Sequence, residues 1–274
     1  MTLRRRAAVL GKPIAHSLSP VIHTAGYAAA GLTGWSYTRI ECAAAELPDL
    51  VAGLGPEWAG LSVTMPGKEA ALAVADAASP VAAAVGAANT LVRRPDGSWY
   101  ADNTDVAGMV HVLGEVGVVP GADATVLGAG GTARAALAAA AQLDCSSLTV
   151  VARRAEAVDE LRPVADAVGV VLRSGRWADA ARHVAAAEVV VSTVPKGVAD
   201  PLADEVSWQP GAVFFDALYD PWPTPLAASA LAVGLRVVSG LDLLLAQAVG
   251  QFEQFTGVRA PVEAMRAALV RRLP

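Results

Sequence analysis

A chain of 274 residues, 54% hydrophobic and 17% charged, is long enough to bury a large core in two domains, and its apolar content excludes intrinsic disorder. A net charge of −5 argues against a general affinity for nucleic acid. Cys42 and Cys145 are too few and too isolated for a disulfide framework or a metal site, and no apolar run reads as a signal peptide or a membrane span, so the expectation is a soluble cytoplasmic protein without a bound metal.

The elements follow in chain order. Ala7–Gly11 reads as a short buried strand. Ser19 is a candidate N-cap with Pro20 at the first helical position and Gly31 closing the helix. Tyr37–Glu41 predicts a strand, Ala44–Leu54 a helix and Gly60–Thr64 another strand. Pro66 then opens a helix carrying Lys68. Leu91–Arg93, a Pro-Asp-Gly turn and Trp99-Tyr100 read as a hairpin. A helix over Val106–Gly117 leads into a second pattern, with strands in "ATVLG", "SLTVVARR", "EVVVSTVP", "AVFFDALY" and "RVVSG". These runs are apolar without alternation, as in a parallel sheet covered on both faces. Apolar helices are expected at Leu241–Phe255 and Ala264–Leu273.

"VLGAGGTA" sets Gly128, Gly130 and Ala133 in the G-x-G-x-x-A register, with Ala129, Gly131 and Thr132 completing the turn between a strand and a helix. That context fits a dinucleotide site: a tight turn, close backbone approach to a pyrophosphate, and a helix N-terminus facing its charge. The alternative is a structural glycine turn. An NAD site normally ends the next strand with an acid that binds the ribose 2′-hydroxyl. This strand ends instead in Arg153 and Arg154, which suit the 2′-phosphate of NADP.

The chain contains three lysines, Lys12, Lys68 and Lys196, among 21 basic residues. Lysine can release and regain a proton where arginine cannot, so Lys68 reads either as a proton-transfer group or as a solvated residue at a helix start. Ser17, Ser19, Thr64, Asn89 and Asp105 also fall in loops at strand ends. Singly, each has a structural reading as a cap, a strand residue or a turn former.

Seven segments in order, "GKPIAHSLSPVIH", "LSVTMPGKE", "GAANTLV", "DNTD", "GAGGTAR", "YDPWPTPL" and "SGLDLLLAQA", resemble the shikimate dehydrogenases from about Val9 to Gly257. The resemblance implies an α/β chain with an N-terminal substrate domain (1–106 and 241–274) and a Rossmann-type, doubly wound cofactor domain (107–240). It implies reversible NADP-linked reduction of 3-dehydroshikimate to shikimate, with a small-molecule substrate and neither nucleic acid nor membrane as partner. Carried over by motif, Lys68 and Asp105 are the catalytic pair and Ser17 and Ser19 hold the substrate carboxylate. Thr64, Asn89, Asp105 and Gln247 meet the ring hydroxyls, with Tyr219 also at the site. Thr193 and Gly240 lie near the nicotinamide. Read alone, Gln247 is an exposed residue on an amphipathic helix. Many relatives have Asn-Arg-Thr where this chain has Ala152-Arg153-Arg154, so the arginine is kept and its polar partners are not. A quinate/shikimate dehydrogenase with mixed NAD and NADP use, and a non-catalytic dinucleotide-binding regulator, are the rival readings.

Overall fold

The strand and helix runs close into two separate six-stranded sheets in a computed structural model that describes residues 4–271. The chain divides into two units, Met1–Thr104 with Leu244–Pro274, and Asp105–Leu243.

The first unit holds β1 (Arg5–Gly11), β2 (Trp35–Glu41), β3 (Trp58–Val63), β4 (Ala77–Ala78), β5 (Thr90–Arg93) and β6 (Trp99–Asp102), in the order β2-β1-β3-β5-β6-β4. β1 runs parallel to β2 and β3, and the expected hairpin is the antiparallel pair β5–β6. All of β3 is buried, and its alternation explains how. Leu61 and Val63 enter a core with Leu10, Leu47, Leu91 and Trp99. Gly60 and Ser62 face the other way, under the long helix Gly240–Thr256. A Cβ on Gly60 would lie 2.1 Å from the Phe255 ring, so glycine is what lets that ring approach the strand. A slip of one residue would put Leu61 under the helix and Gly60 in the core, so the register is strongly specified.

Several local expectations shift. Ser19 is the first residue of the helix Ser19–Ala29; Leu18 holds the N-cap position, and no side chain caps this end. The helix expected over Ala44–Leu54 is a 3₁₀ turn, Ala44–Glu46, followed by Leu47–Ala52, because Pro48 fits only in the first turn of a new helix. Lys68 itself opens the helix Lys68–Val74, with Gly67 as N-cap. An additional helix, Pro80–Val85, starts at Ser79, whose hydroxyl accepts the Ala82 N–H, and ends at left-handed Gly86. The last helix spans Val262–Val270; Leu273 lies outside the described residues.

The second unit holds β7 (Asp123–Leu127), β8 (Ser147–Ala152), β9 (Leu172–Arg176), β10 (Val189–Ser192), β11 (Val213–Asp216) and β12 (Arg236–Val238). All pair in parallel, in the order β12-β11-β10-β7-β8-β9. The chain winds outward from β7 through β8 to β9, returns to β10 beside β7, and winds the other way. The switch point therefore lies between β7 and β10. β10 and β11 are buried at every residue, as expected for central strands covered on both faces. Five strands are read from the sequence and six are present. β9, "LRSGR", lacks an apolar run and forms at the sheet edge through its pairing with β8.

One buried polar residue stands out in the first unit. His23 is fully buried, stacked on Tyr37 with ring centroids 4.1 Å apart, and flanked by Tyr27, Phe252 and Phe255. Burial lowers its pKa from 6.5 to about 3; Gln251 lies near enough to offset a part of this, yet neither ring nitrogen closes a hydrogen bond of normal geometry among the described residues. The unfolded chain therefore takes up a proton below pH 6.5 that the folded chain refuses until about pH 3. The contribution of neutral His23 is fully present above pH 6.5 and falls as the pH drops, by at most about 1.4 kcal/mol per pH unit. Denaturant unfolding of wild type and His23→Phe between pH 7 and 4 should show a steeper loss in wild type; parallel curves would mean that the ring is not held neutral.

Candidate active site

Several of the polar residues expected at the site lie in segments that flank strands of the first unit. Ser17 and Ser19 are both buried. The Ser17 hydroxyl donates to Ser19 Oγ at 3.3 Å, and the Ser19 backbone N–H approaches Ser17 Oγ at 3.4 Å. The loop is held from β2 by Arg39, whose Nε and Nη2 both donate to the Ser17 carbonyl, at 2.9 and 2.5 Å. Two hydroxyls thus share one small volume beside a guanidinium that fixes the backbone, an arrangement suited to a carboxylate.

Thr64 follows β3 directly. Its N–H donates to Leu10 O at 2.8 Å, and its carbonyl accepts the Gly67 N–H at 2.9 Å, which turns the chain into the helix that Lys68 opens. Lys68 is half-buried, and its carbonyl accepts the Ala88 N–H at 2.8 Å, so its backbone is tied to the residue before Asn89.

Asn89 is the most heavily bonded residue of this group. Its carbonyl accepts the Val63 N–H at 2.7 Å and Gln251 Nε2 at 3.1 Å. Its side-chain Oδ1 accepts the Thr104 N–H at 2.8 Å, the Thr90 hydroxyl at 2.7 Å and the Thr104 hydroxyl at 3.1 Å. Asn89 is therefore a strand-end hub and not a turn former. Asp105, buried, comes immediately after Thr104 in the first turn of the helix Thr104–Glu115, where a carboxylate complements the helix dipole. The helix starts two residues earlier than expected, so Asp105 is inside it and not its cap.

Gln247 is buried, against the exposed reading, and its Nε2 donates to the Leu244 carbonyl one turn back at 2.7 Å. Gln251, one turn further on, is the glutamine that bonds into the Asn89 hub. No local pattern singles Gln251 out, because the same helix also carries Asp242, Gln247, Glu253 and Gln254. Arg39 and Ser62 carry no signal either, because their partners lie far away in the chain.

The second unit has the shape of a dinucleotide cradle at its switch point. Gly128 takes φ +100°, and a Cβ there would lie 2.7 Å from Thr193 Oγ1. Thr193 donates both its N–H and its hydroxyl to the Leu127 carbonyl, at 2.8 and 2.9 Å, tying the end of β10 to the end of β7. Gly130 is the N-cap of the helix Gly131–Gln142, which has no side-chain cap, and the space a Cβ would take there is open. The first-turn N–H groups of that helix are thus left for an anion. Ala133 is fully buried, as close packing of helix on strand requires. The Gly128 N–H donates to Val151 O at 2.9 Å, which sets the end of β8 beside the turn; Arg153 and Arg154 follow there, both exposed. These residues fit a phosphorylated dinucleotide.

Tyr219 is half-buried in the loop after β11, and burial raises its pKa. Beside it, the Gly240 N–H donates to the Leu218 carbonyl at 3.1 Å, and a Cβ on Gly240 would lie 2.2 Å from Ala217 O.

Comparison with known proteins identifies the family. The shikimate dehydrogenase substrate binding domain matches residues 9–91, and the Shikimate 5'-dehydrogenase C-terminal domain matches residues 240–270. The chain is 40% identical to a "Shikimate dehydrogenase (NADP(+))" of Methylobacterium radiotolerans, over 94% of this chain and 93% of that one. This chain belongs to the shikimate dehydrogenase family. The crystal structure of Mycobacterium tuberculosis shikimate dehydrogenase superposes with a TM-score of 0.89 at 52% identity, covering 97% of this chain and 99% of that one. The Thermus thermophilus shikimate 5-dehydrogenase in complex with NADP(H) and shikimate gives 0.84 at 32% identity, over 98% and 100%. The two matched domains include the residues from Ser17 to Asn89 and from Gly240 to Gln251 described above.

Because the obstacle at Gly240 is backbone, no side-chain rotation relieves it. Gly240→Ala should destabilise the fold by about 1–3 kcal/mol, the usual cost of overpacking. A thermal melt tests this: an unchanged midpoint would show that the segment after β11 yields freely.

Proposed function

We propose that this protein is an NADP-dependent shikimate dehydrogenase, catalysing the reversible reduction of 3-dehydroshikimate to shikimate in the route to chorismate and the aromatic amino acids. The observation that carries the reading is the set of buried hydroxyl and amide groups at Ser17, Ser19 and Asn89, with Thr64 and Lys68 at the adjoining strand and helix ends, in a chain that resembles shikimate dehydrogenases along nearly its whole length. On this reading the first unit binds the substrate and the second binds the dinucleotide. The expected location is the cytoplasm, where two free thiols stay reduced.

Bound NADPH would supply the hydride that reduces the ketone carbon. Gly128 to Ala133 would hold its pyrophosphate at the helix N-terminus, and Arg153, with Arg154 beside it, its 2′-phosphate. Thr193 and Gly240 would border its nicotinamide. Ser17 and Ser19 would bind the substrate carboxylate through neutral hydroxyls, which hold the anion without adding a full charge and so permit product release. Thr64, Asn89, Asp105, Gln247 and Tyr219 would meet the rest of the substrate. Buried groups of this kind penalise analogues that leave them unpaired.

Reduction leaves charge on oxygen, which must be stabilised and then protonated. The Lys68 ammonium does both, and a guanidinium would do only the first. Asp105 orients Lys68 and the reacting hydroxyl. In the direction of oxidation, the same amine receives the hydroxyl proton.

Lys68→Met should lower kcat for shikimate oxidation about 10²–10⁴-fold, with KM for shikimate changed far less. Retention of normal turnover would remove Lys68 from its role. Arg153→Ala should raise KM for NADP by roughly tenfold, the order expected for a lost charge-assisted hydrogen bond, and leave KM for NAD nearly unchanged. Equal effects on the two cofactors would place the 2′-phosphate elsewhere.

A further inference from the structure

A buried primary amide must place both its oxygen and its nitrogen against partners, or the chain loses stability. Gln251, 1% exposed, does so with Ser62, Asn89 and Thr90. Its Oε1 accepts the Ser62 hydroxyl at 2.6 Å, and its Nε2 donates to the Asn89 carbonyl and to Thr90 Oγ1, both at 3.1 Å. Ser62 in turn accepts the Tyr37 hydroxyl at 2.6 Å.

The orientation of these groups is forced. A backbone carbonyl only accepts, so Nε2 of Gln251 is the atom facing Asn89 O. A backbone N–H only donates, so Oδ1 of Asn89 is the atom facing Thr104 N. Each hydroxyl has a single proton. Tyr37 gives its proton to Ser62, Ser62 to Gln251, and Thr90, which accepts from Gln251, to Asn89 Oδ1. Every proton in the relay points towards Asn89. Its oxygen is therefore satisfied within the protein, and the end of the carboxamide turned away from Thr104 is the NH₂ group, which can serve only an acceptor.

We propose that Gln251 is a positioning residue for substrate recognition: through Thr90 and the Asn89 backbone it fixes both the place and the polarity of the Asn89 amide, so that this amide is a hydrogen-bond donor to a substrate oxygen. The proposal rests on the reading of Asn89 as a substrate-binding residue. It assigns the oxygen that meets Asn89 an accepting role and leaves other groups of the site to receive that hydroxyl's proton. It also gives the helix Gly240–Thr256 a part in specificity beyond Gln247, because one amide seats the helix on the sheet and orders the hub.

The test is a cycle of variants, with steady-state kinetics on shikimate at saturating NADP. Gln251→Met keeps the length and removes both ends of the amide; Thr90→Val removes one hydroxyl at equal size and serves if Gln251→Met does not fold. Either variant should raise KM for shikimate, about tenfold for Gln251→Met, while KM for NADP stays within about twofold. Asn89→Ala should cost much less in the Gln251→Met or Thr90→Val background than in wild type, because the amide is already misplaced there. A purely structural role would lower the melting temperature, leave KM for shikimate unchanged and give additive effects, and that result overturns the proposal. Raised KM in Asn89→Ala beside normal KM in the relay variants removes the relay alone. Normal KM in Asn89→Ala removes the assignment of Asn89, and the relay with it. Wild-type protein that does not turn over shikimate removes the enzymatic reading on which both stand.

Discussion

The hydrogen bond from the Thr104 backbone N–H to Asn89 Oδ1 is the centre of the hub on which the proposed chemistry depends. It joins the start of β5 to the first turn of the helix that carries Asp105, one peptide away. On its other side, Asn89 is secured by the Val63 N–H, and the preceding Ala88 N–H reaches the Lys68 carbonyl. The backbones of Lys68, Asn89 and Asp105 thus come from distant parts of the chain and are each tied within a residue of one hub. The hub is buried, so any of its bonds left unmade would cost the full desolvation of a polar group. That cost holds the geometry firm, and proton transfer needs groups held to within a fraction of an ångström.

The choice of cations follows the same logic. This chain writes arginine almost everywhere it needs a positive charge. Arg39 shows why: two of its nitrogens converge on one carbonyl, a task for a rigid planar fork that stays charged. On the proposed reading, Lys68 stands where a proton has to leave and return. The serines that Arg39 supports are neutral, as would befit groups proposed to bind a carboxylate and then release it.

Much of this could be read directly from the residues. The second sheet announced itself because a parallel strand covered on both faces is an unbroken apolar run, and because Gly128 and Ala133 mark a turn that few other sequences can make. β9 was silent: an edge strand made of Leu172, Arg173, Ser174, Gly175 and Arg176 has no periodicity and owes its existence to β8. The loop residues of the first sheet were individually ambiguous, since serine, asparagine and aspartate serve as well for caps and turns. Their meaning came from order along the chain. Ser19 looked like a cap and is a buried partner of Ser17, because a local pattern cannot register a hydroxyl held by tertiary packing. Gln251 and Ser62 are separated by 189 positions and by no visible pattern, yet they meet at 2.6 Å. Polar contacts across a sheet and a distant helix are invisible until topology places them.

The central claim is that this hub and the dinucleotide cradle serve one oxidation, that of shikimate by NADP. The most direct measurement is kcat/KM for the four combinations of shikimate or quinate with NADP or NAD, followed by absorbance of the reduced cofactor. Shikimate with NADP should exceed each of the other three pairs by at least about tenfold, a difference of about 1.4 kcal/mol in transition-state binding. A preference for quinate with NAD, or cofactor binding with no turnover of either acid, would contradict the account.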